Sequence, residues 1–170
     1  MSPKLIVADA GPLIALAIGG VLPACVAMLG GLYVPEAVLQ ECTSDPSAPG
    51  AAVIQSLSTA GDVHIVPQSV LIQLDAALAQ GLGTGELAVL SYAAEHDLLA
   101  LIDERRARRL AQHLKIPCIG SGTLVAQLKR QGLINSIEPI FAAWQKHGYF
   151  VSDKVKSDIV MRSVTYHLFR

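Results

Sequence analysis

Charge is scarce in this chain. Only 16% of its 170 residues are charged against 52% that are apolar, which excludes intrinsic disorder and calls for strands or helices covered on several sides. Neither sign of charge dominates. Thirteen basic residues face fourteen acidic ones, so no global positive field advertises a nucleic acid, and any such partner must be held locally. Cysteine is scarce too. Cys25, Cys42 and Cys118 never form a C-x-x-C, so neither a disulfide framework nor a thiolate zinc site is indicated, and a reducing cytoplasm is the simplest reading. The five histidines (His64, His96, His113, His147 and His167) form no H-x-x-x-H or comparable pair, and no G-x-S-x-G elbow exists. Zinc-hydrolase and serine-hydrolase chemistries therefore fall away.

Also lacking are repeats, low-complexity tracts and any linker, so a chain of this length reads as one domain. One uncharged run, 10–35, is long enough to raise the question of a membrane span. Pro12, Pro23 and the pairs Gly19-Gly20 and Gly30-Gly31 interrupt it, and no basic n-region or cleavage pattern precedes it. No membrane segment is expected.

What is present is alternation. Short apolar runs at 4–8, 63–66, 98–102 and 116–119 read as buried strands, and L-Y-V-P at 32–35 as a short strand or strand-like link. Helical patterns fall between them: an apolar stretch from Pro12 to about Leu29, bent or broken at Pro23, then 35–42, 51–57, 69–79, 86–96, 104–114 and 121–131. Helices around 137–146 and 152–164 finish the chain, and in the tail Ile159, Val160, Val164 and Leu168 recur at helical spacing opposite Lys156, Asp158 and Arg162, a stripe that packs on the domain itself or on a partner. This order predicts an α/β fold of three layers, α/β/α, with a central, mostly parallel sheet.

In such a sheet ligands gather beyond the carboxyl ends of the strands. Asp9 and Asp103 fall there, at the ends of the first strand and of L-L-A-L-I. Each could equally cap the helix that follows, although neither makes a capping box. On the helix opening at Pro35, side chains step by ~100° per residue. Glu41 then falls between Ala37 and Val38, on the apolar face, where a carboxylate needs a partner. Glu86 opens the apolar helix L-A-V-L-S-Y-A-A, where it gains from the helix dipole or points inward as a ligand. Four converging carboxylates raise one another's pKa and cost stability unless a cation neutralises them, and Mg²⁺ or Mn²⁺ suits an all-oxygen site.

D-A-G-P-L-I at Asp9, V-P-E-A-V-L-Q-E-C through Glu41, G-L-G-T-G-E-L-A at Glu86 and L-I-D-E-R-R-A-R at Asp103 resemble the successive acidic motifs of PIN domains. The likeness runs on through G-S-G-T-L-V and H-G-Y-F-V-S-D, and is similar to the VapC-like prokaryotic group with D-x-x-P-L-I and G-x-G-E motifs. The resemblance implies a metal-dependent ribonuclease, with 1–150 as the nuclease domain and 151–170 as a helical extension of that domain. It implies Asp9 and Asp103 as principal ligands, Glu86 in the shell, and Glu41 as a ligand or the group orienting the water. Ser121 and Thr123 match a hydroxyl-bearing stretch near the same pocket, as phosphate or water contacts, or Ser121 simply caps its helix. Glu104 is a further candidate through water, against the plainer reading of an exposed first-turn glutamate.

Arg105, Arg108 and Arg109 share a solvent face of the helix after Asp103, placed to carry an RNA backbone. Arg106 sits at the edge of that stripe and can pair with a site carboxylate or contact phosphate. G-L-G-T-G lacks both the G-x-G-x-x-G spacing and a Walker lysine, so it reads as a helix-start turn. Trp144, Tyr149 and Phe150 read as core or interface residues.

The expected function is thus a ribonuclease, the toxin of a toxin and antitoxin pair, with RNA as substrate and a small antitoxin protein and a second copy of the chain as partners. The alternatives are a catalytically silent PIN-like module binding RNA or protein, and a receiver-type signalling domain. A receiver needs a lysine after a later strand, and none follows one here.

Overall fold

The computed structural model describes residues 5–67 and 80–164. The helix expected over 69–79 lies outside them.

Five strands are described: β1 (Ile6–Ala8), β2 (Leu32–Pro35), β3 (Val63–Val66), β4 (Leu99–Leu101) and β5 (Cys118–Ile119). They form one parallel sheet in the order β3-β2-β1-β4-β5. The chain moves outward from β1 through β2 to β3, then crosses back to β4 and continues to β5. Right-handed crossovers running in opposite directions place their helices on opposite faces of the sheet, which explains why β1, β4 and the flanking Ile102 are buried throughout. The reversal of direction lies between β1 and β4. That switch point is where an open parallel sheet leaves a crevice at the carboxyl ends of its strands.

The described helices are α1 (Ala10–Ile18), α2 (Leu22–Leu29), α3 (Glu36–Thr43), α4 (Ala51–Ala60), α5 (Thr84–His96), α6 (Arg105–His113), α7 (Ser121–Arg130), α8 (Glu138–Lys146) and α9 (Asp153–Val164). The uncharged run breaks earlier than expected. It ends at Gly19, and Gly20 takes φ +71° before α2 begins, so the break precedes Pro23, which sits comfortably in the first turn of α2. The two helices are bent by 117°, and among the described residues no single helix is long and apolar enough to cross a membrane. Leu13, Leu16 and Leu22 are instead fully buried in the core.

Two other expectations change. β3 is an edge strand whose middle residues, His64 and Ile65, are exposed, because no strand pairs with it on its outer side among the described residues. The apolar stripe expected along α9 (Ile159, Val160, Val164, with Leu168 outside the described residues) is rotated: Ile159 and Ser163 are buried while Val160, Met161 and Val164 are exposed. Gly122 dictates this. A Cβ there would lie only 2.7 Å from Ile159 Cδ1, so the absence of a side chain lets α9 seat Ile159 directly on the first turn of α7.

Candidate active site

The register of the sheet assembles the acidic centre. Ala8 lies opposite Leu101, and the Asp9 N–H donates to the Leu101 carbonyl at 3.0 Å, which extends the ladder by one bond. Asp9 therefore emerges one residue beyond β1, and Asp103 two residues beyond β4, on adjacent strands at the switch point. Asp9 occupies the position before α1, yet its carboxylate makes no capping bond. Capping does not explain it.

Asp9 is buried, with only 6% of its surface exposed. Burial first, then the charges of Glu86, Glu41 and Asp103, push its carboxyl up to about 7, against the lowering effect of a backbone hydrogen bond from Ala10. All three other acids of the sequence reading thus act on one buried oxygen pair. Cys42 lies within the electrostatic reach of Glu41 and Asp9. Burial, then Glu41 and Asp9, push its thiol up to about 12, so it offers no thiolate to a cation.

Glu41 departs from expectation in its burial. It is exposed, although its neighbours Val38 and Cys42 are buried. A glycine lies beside its carboxylate. α3 faces the first turn of α5 at Gly85, where a Cβ would stand 3.2 Å from Glu41 Oε2 and 3.6 Å from Asp9 Oδ1. Since Gly85 has no side chain, the space between these two carboxylates stays open. Glu86, the next residue, accepts a hydrogen bond from the Gly83 N–H at 2.7 Å and so closes the N-terminus of α5 while contributing its charge to Asp9. The helix-start explanation and the acidic-centre explanation both hold for Glu86.

Asp103 is held from the far side. The Ser121 N–H donates to Oδ1 and the Ser121 hydroxyl to Oδ2, each at 2.8 Å, and the Tyr149 hydroxyl also donates to Oδ2. Ser121 is therefore not the cap of α7, a position taken by Gly120. A side chain at Gly120 would collide with Asp103 Oδ1, its Cβ lying at 2.9 Å. Tyr149 belongs to the site, not simply to the core. Its ring packs 5.4 Å from that of Trp144, which is fully buried and donates to the Ala15 carbonyl at 2.6 Å. Burial, then the charge on Asp103, raise the Tyr149 phenol above its ordinary value, so it stays protonated as a donor. The H-G-Y-F segment carried this residue, but an aromatic side chain in an apolar context gives no sign of what its hydroxyl meets.

The remaining candidates divide. Glu104 is the N-cap of α6, accepting from the Ala107 N–H at 2.8 Å, so it serves the helix and relieves Asp103 of that task. Arg106 makes no ion pair with a site carboxylate; its guanidinium lies against Gly81. Thr123 accepts from Arg162 Nη1 at 3.3 Å, away from Asp9. Arg108 donates to the Ile102 carbonyl at 3.0 Å, just before Asp103.

The donors offered are oxygens, one of them a buried carboxylate with a raised proton affinity, beside a gap that a single methyl group would fill. That chemistry fits a small hard cation. Among the described residues, no group of three Asp, Glu, His or Cys side chains stands gathered tightly enough to hold one. Asp103 is directed towards Ser121 and Tyr149.

The family model for the PIN domain matches residues 5–164, and the chain belongs to the PIN-domain family. A comparison with curated proteins gives no match.

Proposed function

We propose that this PIN-domain protein is a divalent-metal-dependent endoribonuclease that hydrolyses RNA phosphodiesters. The observation that carries the reading is Asp9: a carboxylate buried at the switch point, with Glu41, Glu86 and Asp103 all acting on it, has an electrostatic cost that Mg²⁺ or Mn²⁺ would remove. Family membership supports a nuclease-type fold and the general use of divalent metals.

Asp9 and Asp103 would be the principal ligands, with Glu86 completing the shell. A bound divalent ion would supply Lewis-acid stabilisation of the attacked phosphate and a more acidic water. The protein's own groups do the rest. Ser121 and Tyr149 fix the plane of the Asp103 carboxylate through three hydrogen bonds. Glu41, exposed beside the Gly85 gap, would orient the attacking water and take its proton at Oε2. Asp9, whose carboxyl holds its proton up to about pH 7, would hold the cation in its ionised form, the proton going to solvent.

The biological setting belongs to the same proposal. The VapC-like motifs support a toxin paired with an antitoxin, the exposed Val160, Met161 and Val164 support a second copy of the chain or a small protein as partner, and the free cysteines suit a cytoplasmic home. A silent binding module is the second reading, favoured by the spread of the acidic side chains among the described residues. Cleavage of a structured RNA with Mn²⁺ or Mg²⁺, with and without chelator, in wild type and Asp9→Asn, decides between them. Chelator-sensitive cleavage lost in Asp9→Asn supports the nuclease, whereas RNA binding without cleavage in either metal supports the silent module.

A further inference from the structure

A cavity of about 510 Å³ opens beside Asp103, between the first turns of α6 and α7 on one side and the segment from Tyr149 to Arg162 on the other. Three guanidinium groups line it, Arg105, Arg108 and Arg162, against the carboxylates of Asp103 and Asp158. Among the described residues none of these arginines makes an ion pair: Arg108 donates to a backbone carbonyl and Arg162 to the Thr123 hydroxyl. At the rim stands Phe150, with 85% of its surface exposed. Its neighbour Tyr149 is half-buried and holds Asp103.

We propose that this cleft is a nucleotide subsite for single-stranded RNA, in which Phe150 stacks on one base and Arg105 and Arg162 hold the phosphate that follows the cleaved bond. The proposal rests on the nuclease reading and adds the site that positions the strand. The physical case has three parts. The volume falls within the range that encloses small ligands, and a nucleotide is of that size. A large aromatic ring held in water beside a cationic wall is the arrangement that binds a base by its face and its phosphate by charge. The cleft also shares Asp103, Ser121 and Tyr149 with the acidic centre, so the two adjoin. Gly122 is what makes the arrangement possible, because α9 can bring Arg162 up to Thr123 only while Ile159 rests on a residue without a side chain.

The test is binding of a fluorescein-labelled hexaribonucleotide of mixed sequence, with chelator present so that no cleavage occurs, followed by anisotropy at several salt concentrations. Phe150→Ala and Arg162→Gln alter exposed side chains and should melt like wild type. Each is expected to weaken binding by about fivefold or more. Arg162→Gln should also reduce the salt dependence by about one counterion. Phe150→Leu, which keeps the apolar bulk but loses the ring face, should fail like the alanine variant. A six-residue polyglutamate peptide is the competing probe. If Arg162→Gln weakens peptide and RNA alike while Phe150→Ala leaves RNA binding unchanged, the cleft is a general anion site and the proposal is overturned. Unchanged RNA binding in all three variants, with cleavage still abolished by Asp9→Asn, overturns the subsite and leaves the nuclease standing. Absence of cleavage in wild type, with the binding losses intact, would overturn the nuclease alone.

Discussion

Ser121 holds both oxygens of Asp103, its backbone N–H on Oδ1 and its hydroxyl on Oδ2, each at 2.8 Å. The first turn of α7 is thereby tied to the segment just after β4, across eighteen residues of sequence. Ser121→Ala keeps the backbone half of this grip and removes the other. It should lower stability by about 2 kcal/mol, as for a hydrogen bond to a charged group. Mn²⁺ affinity, read by calorimetry, should fall about 10-fold to 100-fold, the usual consequence of removing a group that orients a ligand. Tyr149→Phe, which retains the ring against Trp144, should act in the same direction. An Asp103 site indifferent to both changes would refute the orienting role.

Asp9→Asn and Asp103→Asn should each abolish metal-dependent RNA cleavage while the protein stays folded, because an amide is a poor ligand for a hard cation. For Asp9 the metal-free protein should gain stability near neutral pH, since the substitution removes a buried charge facing three others. A well-folded Asp103→Asn variant with full activity would contradict the assignment of the centre.

The pH dependence of metal-free stability follows from Asp9. Its carboxyl ionises near 3.8 in an unfolded chain and near 7 in the fold. Between those values the folded state binds the extra proton, so the stability it confers is complete below about pH 4, is lost as pH rises, and is gone above about 7. The three-unit difference bounds the loss at about 4 kcal/mol. Thermal melts with chelator from pH 4 to 8 should show this decline, Asp9→Asn should flatten it, and saturating Mg²⁺ should oppose it. A melting temperature that rises from pH 4 to 7 in wild type through Asp9 would reverse the sign and exclude the raised pKa.

Gly85→Ala separates folding from function. The residue sits in the first turn of α5 with an ordinary helical backbone, where alanine is favoured over glycine by about 1 kcal/mol. Its methyl group would enter the gap between Glu41 and Asp9, at 3.2 Å from Glu41 Oε2 and from Val38 Cγ2. Melting should change by no more than about 1 kcal/mol in either direction, with that helix preference set against the crowding. Mn²⁺ binding and cleavage should fall by about an order of magnitude or more, as a displaced ligand set predicts. Wild-type metal affinity in Gly85→Ala would show that the cation does not use this gap.

The α9 helix closes the domain through Ile159. Truncation before Ser152 would uncover the first turn of α7, where Ile159, itself 4% exposed, rests on Gly122. An aggregated or strongly destabilised product is expected, by about 3 kcal/mol or more for the loss of one buried isoleucine and its neighbours. A folded monomer with an unchanged melt would assign the helix to partner binding instead.

The sequence alone determined the alternation of elements, the parallel sheet and the four acids at its carboxyl edge. These are legible because hydrophobic period, helix-start glycines and prolines, and strand ends are local properties of the chain. Asp9 and Asp103 could be placed from the ends of V-A and L-I without any knowledge of what lay beside them. Only the tertiary structure decided what each neighbouring group does, because those roles depend on contacts between residues far apart in sequence. Ser121 looks like a cap until Gly120 is seen to take that position, and Tyr149 looks like core until its hydroxyl is seen on Asp103. Glu41 was expected to lie on the buried side because its own helix is apolar there; in the fold it is exposed, with Gly85 of another helix beside its carboxylate. The tail behaves the same way: helical spacing identified its apolar residues, but Gly122 on α7 selected Ile159 as the one that packs.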